Sequence, residues 1–158
     1  MKYLILYMSH HGTTRKIVTQ MAMHLGTENT TLVDLESENV PDLAGFDTVL
    51  IGGSIHVGTI QKKIREFCSL YEHLLLKKRV GLFICALEER NAAEHLQNSF
   101  PQKLLDHAVA KGFFGGELVW DKMNFFEKIF VRTIYGVNKN LSELDEEAIL
   151  NFEKKIQE

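Results

Sequence analysis

The first fourteen residues constrain the fold of this chain more than any other stretch. A continuous apolar run, Tyr3–Met8, ends abruptly in the loop Ser9-His10-His11-Gly12-Thr13-Thr14, and a helical pattern begins at once. The apolar residues that share one face of this helix are Ile17, Val18, Met21 and Leu25. A strand that leads directly into a helix gathers backbone N–H groups, hydroxyl donors and the positive end of the helix dipole. This first loop (residues 9–14) therefore predicts a site for an anionic group such as a phosphate.

The rest of the chain repeats the alternation of strand and helix. Continuously apolar runs indicate parallel strands that are covered on both faces. The runs are Tyr3–Met8, Thr30–Leu35, Thr48–Gly52, Val80–Ala86 and a weaker Phe113–Val119. Helical patterns follow most of these runs, and residues 36–47 leave room for only a turn or two of helix. This order predicts a three-layer, doubly wound α/β sandwich around a five-stranded parallel sheet.

Two start signals define the helices of the second half. Asn91-Ala-Ala-Glu has the spacing of a capping box, and its helix is predicted to continue through Leu104, Leu105 and Ala108. Ser142-x-x-Asp145 predicts the start of a final helix that ends near Ile156.

Composition limits the classes of function. The chain has 158 residues, which suits one domain (residues 1–158), and its 45% hydrophobic content is ordinary for a globular protein. A formal charge of −3 argues against a nucleic-acid partner, because such proteins usually present a basic face. Cys68 and Cys85 have no metal-ligand or redox spacing, so we expect buried thiols and no metal site. No signal peptide or membrane span is visible, and we expect a cytoplasmic protein.

Three loops fall at the carboxyl ends of the predicted strands, where a doubly wound sheet binds its ligand. They are the first loop, a second loop (residues 52–58, Gly-Gly-Ser-Ile-His-Val-Gly) and a third loop (residues 86–91, Ala-Leu-Glu-Glu-Arg-Asn). The first loop lacks both G-x-x-x-x-G-K-[ST] and G-x-G-x-x-G, which argues against nucleoside triphosphates and dinucleotides. Its Ser9-x-x-Gly12-x-Thr14 pattern supplies donors for a single terminal phosphate, although Ser and Thr also serve as plain helix caps. Three glycines in the second loop predict the close approach of a flat or bulky group.

Together these motifs resemble the flavodoxin family. The stretch Ile51-Gly52-Gly53-Ser54-Ile55-His56-Val57-Gly58 is more specifically similar to the flavodoxin-like branch that contains menaquinone-dependent protoporphyrinogen oxidase, as are Gly115-Gly116-Glu117-Leu118 and the aromatic segment after them. The resemblance implies the strand order 2-1-3-4-5 and an FMN cofactor, with its phosphate in the first loop and its isoalloxazine between the second and third loops. The implied FMN-binding residues are Ser9, His10, His11, Gly12, Thr13, Thr14, Ser54, Ile55, His56, Val57, Gly58, Ala86, Leu87, Glu88 and Asn91.

The second and third loops lack the aromatic side chains that usually sandwich the flavin of ordinary flavodoxins. An open flavin face favours direct reaction with a substrate. We therefore expect an FMN-dependent oxidoreductase that transfers electrons from a reduced organic substrate to a quinone or another acceptor. The substrate that the resemblance implies is a porphyrinogen. The alternative is a one-electron carrier that docks to redox partner proteins. No residue in the sequence identifies a catalytic acid or base.

The segment Trp120–Tyr135 carries one polar stripe and a broad apolar surface. The apolar members are Met123, Phe125, Phe126, Ile129, Phe130 and Ile134. Two interpretations stay open: a buried or domain-capping helix, or an exposed apolar surface that meets a substrate, a quinone, a partner or the inner face of a membrane.

Overall fold

Five parallel strands form the central sheet of the computed structural model, which describes residues 1–158. In chain order the eight strands are β1 (Tyr3–Tyr7), β2 (Thr30–Asp34), β3 (Thr48–His56), β4 (Thr59–Ile60), β5 (Arg79–Cys85), β6 (Ala110–Phe113), β7 (Gly115–Leu118) and β8 (Leu141–Leu144). The parallel strands lie in the order β2-β1-β3-β5-β6, and β4 pairs antiparallel with the end of β3. β7 and β8 form a separate antiparallel pair. The predicted strand order is confirmed, with β5 and β6 as the fourth and fifth parallel strands.

Seven helices accompany the strands. They are α1 (Thr13–Leu25), α2 (Lys62–Leu70), α3 (Glu72–Leu75), α4 (Ala92–Ser99), α5 (Gln102–His107), α6 (Phe125–Tyr135) and α7 (Glu146–Gln157). Short 3₁₀ turns occupy Leu43–Gly45, Glu89–Asn91 and Trp120–Lys122. The first of these confirms that the crossover of residues 36–47 holds only one turn. No helix of the chain combines the length and the apolarity that crossing a lipid bilayer requires.

Two apolar clusters hold the layers together, one on each face of the sheet. Every residue of β1 is buried, and its side chains alternate between the clusters as the pleat dictates. α1 and α7 pack on one face, whereas α2, α3 and α5 contribute to the cluster on the other. Cys68 and Cys85 are buried free thiols within these clusters, as predicted. Burial on both faces explains why the parallel strands are continuously apolar.

The predicted fifth strand, Phe113–Val119, is wrong in position. The fifth parallel strand is β6, at the edge opposite β2, and its alternating burial around the exposed Lys111 interrupts the apolar run. Gly115 then adopts a φ of +70°, and the chain leaves the parallel sheet to pair with β8. An edge strand with one covered face shows no continuous apolar pattern, which is why the sequence placed this strand a few residues late.

One predicted helix of the second half needs correction, and the final helix is confirmed except for the role of Ser142. Asn91 makes no side-chain capping bond, and the helix expected from Asn91 to Ala108 is divided into α4 and α5. Pro101 separates them, because its ring cannot sit in a helix interior. Ser142 lies in β8, and Asp145 alone caps α7 by accepting a hydrogen bond from the N–H of Ala148 at 2.9 Å.

Candidate functional site

A cavity of about 660 Å³ opens at the carboxyl ends of β1, β3 and β5. The first loop, the second loop, the third loop, β7 and α6 all contribute to its walls. The predicted site residues that line it are Ser9, His10, His11, Thr13, Thr14, Ser54, Ile55, His56, Val57, Gly58, Ala86, Leu87 and Glu88. Gly12 and Asn91 do not line the cavity: Gly12 forms the turn before α1, and Asn91 ends a 3₁₀ turn. The structure therefore brings most of the predicted residues to one place.

The first loop is shaped by its own hydrogen bonds. Ser9 Oγ accepts from the N–H groups of Gly12 at 3.1 Å and Arg15 at 3.3 Å. Gly12 has a φ of +97°, a backbone conformation that residues other than glycine rarely adopt. The serine hydroxyl thus holds the turn that starts α1, and the glycine makes that turn possible.

Unused donors remain at the start of α1. Thr13 Oγ1 and Thr14 Oγ1 are buried without an oxygen or nitrogen partner, although the Cys85 thiol lies close enough to the Thr14 hydroxyl to interact weakly with it. The N–H groups of both threonines donate to no other group of the chain. A buried polar group left without a partner costs about 1–3 kcal/mol. These donors meet at a helix N-terminus, where the dipole favours negative charge. The donor set fits an anionic ligand that accepts several hydrogen bonds at once.

The second loop is a tight hairpin. β3 and β4 pair through Ile55 with Ile60 and through His56 with Thr59, which leaves Val57-Gly58 as a two-residue turn. Both turn residues have positive φ, as the favoured hairpin turns require, with 52° at Val57 and 78° at Gly58. A β-branched residue in this region is a conformational outlier, and Val57 is also fully exposed at the rim of the cavity.

Contacts within the protein surround the other two glycines of the second loop, Gly52 and Gly53. A Cβ at Gly52 would overlap the ring of Phe83, and a Cβ at Gly53 would overlap the side chain of Gln61. Gln61 in turn donates from Nε2 to Ser54 Oγ at 2.8 Å. Packing against the buried Phe83 ring therefore explains the glycine at position 52, whereas at position 53 a Cβ would chiefly meet the movable end of the Gln61 side chain. The close approach of a ligand to this loop stays a prediction.

The third loop rests on β7. The N–H of Ala86 donates to the carbonyl of Gly115 at 2.9 Å, and a Cβ at Gly116 would lie 2.8 Å from the carbonyl carbon of Ala86. This close backbone contact requires glycine at position 116. Cys85 lies just before the loop, and burial raises the pKa of its thiol to about 12, against a smaller opposing effect of the neighbouring Thr14 hydroxyl. Cys85 is consequently an unreactive part of the cavity wall.

α6 forms the outer wall of the cavity and is mostly exposed. Of its eleven residues only Val131 is buried, whereas Phe126 is 79% exposed and Phe130 is 60% exposed. The wall residues that this segment contributes are Met123, Phe126, Glu127, Phe130, Val131 and Tyr135. The interpretation of Trp120–Tyr135 as a buried helix is wrong, and the alternative of an exposed apolar surface beside the site is the one that the structure supports.

A cluster of ionisable groups joins α6 to the first loop. Glu127 accepts from His10 Nε2 at 2.9 Å through Oε1, and its Oε2 lies 3.2 Å from His11 Nε2. Lys122 Nζ donates to the carbonyl of His11 at 3.4 Å, and the His10 and His56 rings meet edge to face with centroids 5.4 Å apart. These contacts position the N-terminus of α6 against the loop that begins α1.

The protonation states in this cluster follow from its surroundings. Burial, followed by the positive charge of His10, lowers the pKa of His11. Burial, followed by the charges of His10 and His11, lowers the pKa of His56. The hydrogen bond from His10 is the main cause that lowers the pKa of Glu127. At neutral pH the cluster therefore combines a carboxylate with the imidazoles of His11 and His56, whose lowered pKa favours the neutral form.

Comparison with known proteins identifies the family of this fold. The flavodoxin domain family matches residues 4–145. The chain belongs to the flavodoxin domain family. It is also 24% identical to protoporphyrinogen IX dehydrogenase [quinone] of Leishmania major, over 94% of this chain and 68% of that protein.

Solved structures agree with this flavodoxin fold. Rubredoxin oxygen:oxidoreductase of Desulfovibrio gigas superposes with a TM-score of 0.59 at 14% identity, over 99% of this chain. The flavodoxin domain described here spans only 34% of that longer chain. A flavoprotein of Lactobacillus acidophilus, solved in complex with FMN, gives a TM-score of 0.52 at 15% identity, over 73% of this chain and 91% of that one.

Several wall residues of this flavodoxin domain lie outside the three predicted loops. They are Cys85, His95, Gly116, Glu117, Leu118, Met123, Phe126, Glu127, Phe130, Val131 and Tyr135. His95 has a buried, unpartnered Nδ1, and Glu117 is paired with Lys16 at 2.9 Å. The aromatic pattern after Leu118 was visible in the sequence, but no local signal showed that α6 folds back against the first loop.

Proposed function

We propose that this flavodoxin-domain protein binds FMN and passes electrons from a reduced, flat organic substrate to a quinone or another acceptor. When bound, FMN supplies the redox chemistry, and the protein binds, orients and shields the reactants. The observation that carries the proposal is the continuity of the cavity, which extends from the unused donors of the first loop to the exposed aromatic residues of α6.

The phosphate of FMN is assigned to the first loop. The unpartnered hydroxyls of Thr13 and Thr14 and the free N–H groups at the start of α1 supply donors, while Ser9 and Gly12 hold the shape of the turn. His10 and His11 flank the same loop with their side chains held by Glu127. Charge-assisted hydrogen bonds to a phosphate dianion are stronger than bonds between neutral groups, so several such donors suit a tightly held phosphate.

The isoalloxazine is assigned to the space between the second loop and the third loop. Residues Ser54–Gly58 and Ala86–Glu88 line this part of the cavity, and none of them carries a benzenoid or indole ring. The large rings of the cavity wall belong instead to Phe126, Phe130 and Tyr135. A flavin held here would keep one face accessible, and a second flat molecule would find aromatic surface on the opposite wall.

The substrate class follows from this wall and from the relative. The exposed rings of α6 suit a large flat molecule, and the curated relative carries the name protoporphyrinogen IX dehydrogenase [quinone]. We therefore propose a porphyrinogen as electron donor and a quinone as electron acceptor. No side chain is assigned as a catalytic acid or base, because the carboxylate–histidine cluster of the wall, Glu127 with His10 and His11, lies at the first loop, where the phosphate is assigned.

Titration with FMN tests the first part of the proposal. The purified protein should bind FMN and show the visible absorption of a bound flavin. Thr14→Val keeps the shape of the buried side chain and removes its hydroxyl, and it should weaken FMN binding by roughly tenfold or more, since a hydrogen bond to a charged group contributes about 1.5–3 kcal/mol. Thr48→Val is the matched control, because Thr48 Oγ1 is equally buried and unpartnered but lies at the start of β3, at the far end of the sheet. Equal losses in both variants, or no FMN binding at micromolar concentration, would contradict the assignment.

An assay of porphyrinogen oxidation tests the second part of the proposal, the transfer of electrons to a quinone. The FMN-loaded protein should oxidise a porphyrinogen when a quinone is supplied in the absence of oxygen. Phe130→Ala should raise KM for the porphyrinogen without changing FMN affinity, whereas Phe125→Ala should leave KM unchanged because Phe125 is exposed on α6 but does not line the cavity. An FMN-loaded protein that oxidises no porphyrinogen but exchanges single electrons with a redox protein would instead be a carrier.

A further inference from the structure

The contact between the first loop and α6 has the composition of a metal site. His10 and His11 are consecutive in the chain, and Glu127 lies 117 residues after His10 in the first turn of α6. The two histidine Nε2 atoms face different oxygens of one carboxylate, at 2.9 Å and 3.2 Å. One potential ligand atom from each of the three residues lies within 4.8 Å of the other two.

These distances are close to those that a bound cation requires. Zinc binds histidine nitrogen and carboxylate oxygen at about 2.0–2.2 Å, so the ligand atoms of a tetrahedral site lie roughly 3.4 Å apart. The two nitrogen–oxygen distances, which involve different oxygens of Glu127, lie within about 0.5 Å of that value. The widest separation among the three ligand atoms is at most 4.8 Å, so it has to close by up to about 1.4 Å to admit the ion. Rotation about the side-chain bonds of Glu127 on the helix surface provides that freedom.

The donor set also indicates which cation fits. Two imidazole nitrogens and one carboxylate oxygen suit zinc and related transition metals, whereas magnesium and calcium prefer oxygen ligands alone. We propose that His10, His11 and Glu127 form a binding site for Zn²⁺, with a fourth position open to the cavity. All three residues line the cavity, so an exchangeable fourth ligand has access to the ion.

The surroundings of Glu127 support this arrangement. The backbone N–H of Asn124 donates to Glu127 Oε2 at 3.2 Å, and the N–H of Glu127 donates to Asn124 Oδ1 at 2.9 Å. A ligand carboxylate that is itself hydrogen-bonded is held in orientation, which is a usual feature of metal sites. Bound zinc would fasten α6 to the first loop more firmly than the present hydrogen bonds do.

Calorimetric titration of the purified, chelator-treated protein with Zn²⁺ tests the proposal. We expect one Zn²⁺ per chain with a micromolar or lower Kd, and no comparable binding of Mg²⁺. Glu127→Gln should weaken Zn²⁺ binding by roughly tenfold or more, because removing a ligand should cost at least as much as the 10- to 100-fold that loss of an outer partner costs. Gln is also accepted in the capping box, so this variant leaves the start of α6 intact.

The control uses another histidine–carboxylate pair. His24 Nδ1 lies 2.9 Å from Glu153 Oε2 at the C-terminal end of α1, away from the first loop, with no second histidine beside it. His24→Asn should change the Kd for Zn²⁺ by less than about twofold, whereas His11→Asn should reproduce the loss seen with Glu127→Gln. Circular dichroism and thermal melting verify that each variant is folded. The proposal is overturned if no saturable Zn²⁺ binding occurs in the micromolar range, or if His24→Asn reduces the binding and Glu127→Gln does not.

Discussion

Two helices that border the same cavity, α1 and α6, are held in place by different forces. α1 buries six side chains, which are Thr14, Ile17, Val18, Met21, Ala22 and Leu25. α6 has the more apolar sequence, yet it buries only Val131 and exposes its phenylalanines to solvent. Apolar content alone therefore does not determine which helix belongs to the core.

The ends of the two helices show the complementary difference. Gly12, the first cap residue of α1, has no side chain to cap with, and Ser9 Oγ accepts from one N–H of the first turn, that of Arg15 at 3.3 Å. In contrast, α6 starts with a complete capping box between Asn124 and Glu127 and ends at Gly136 with a φ of +64°. Isolated helices of this length are marginal in water, and tertiary packing normally stabilises them. α1 has that packing, and Ser9 caps only one N–H of its first turn. α6 lacks it and depends on local signals together with its contacts to the first loop.

The largest expected difference between the two helices is in the free energy of unfolding lost when one isoleucine of each is replaced by alanine. Ile17 is 1% exposed, and Ile17→Ala should lower the free energy of unfolding by about 2–4 kcal/mol, because it removes buried methylenes and leaves a cavity. Ile134 is 61% exposed, and Ile134→Ala should change the same quantity by less than about 0.5 kcal/mol. Urea denaturation of both variants measures the two effects. Equal losses of unfolding free energy in the two variants would contradict the conclusion that α1 belongs to the core and α6 does not.

Loss of the cap should have a smaller and more local effect. Asn124→Ala removes the acceptor for the N–H of Glu127, and it should destabilise α6 by about 1 kcal/mol. Because α6 contributes little to the core, the amides of α6 should exchange with solvent faster while those of β1 stay protected. Hydrogen exchange resolved by residue measures this difference. Asn124→Asp should restore protection, since aspartate caps as well as asparagine, and uniform loss of protection across the sheet would contradict the distinction between the helices.

The same contrast explains how far sequence reasoning reached. Ile17 and Val18 follow a continuous apolar strand at helical spacing, so α1 and its face were predictable from local pattern. The first loop was predictable as well, because Ser9, Gly12 and Thr14 act within a few residues of each other. Peripheral contact of α6 with a membrane stays a prediction.

Contacts between distant segments were not predictable in this way. Glu127 meets His10 across 117 residues, and its capping role gives the only local reason for a glutamate at that position. The edge strand β6 carries the exposed Lys111 and a glycine, so tertiary pairing with β5 defines it instead of its own pattern. The antiparallel pair of β7 and β8 likewise depends on a positive φ at Gly115, a position where two adjacent glycines leave several backbone paths open.

A further substitution sharpens the comparison at the other end of α1, where a second glutamate–histidine pair combines a buried glutamate with a partly exposed histidine. Glu153 of α7 is 4% exposed and contacts His24 of α1. Burial raises the pKa of Glu153, with a further rise from Glu146, and the hydrogen bond and charge of His24 oppose this only in part. The folded protein thus binds the proton of Glu153 more tightly than the unfolded chain does, and stability should fall as pH rises from the unfolded pKa near 4.5 through the higher folded value.

Glu153→Gln removes that titration and should be more stable than the unmodified protein at pH 7. The gain in free energy of unfolding should be smaller than the losses expected from Ile17→Ala and Asn124→Ala. It should disappear near pH 4, where Glu153 is largely protonated in both the folded and the unfolded state. Urea denaturation of both proteins at the two pH values measures the difference. A gain that persists at pH 4 would show that the ionised carboxylate is not its cause, and a loss at pH 7 would show that the ion pair with His24 outweighs burial. In that case the C-terminal end of α1 would depend on the contact of Glu153 with His24, as the start of α6 depends on the contact of Glu127 with His10.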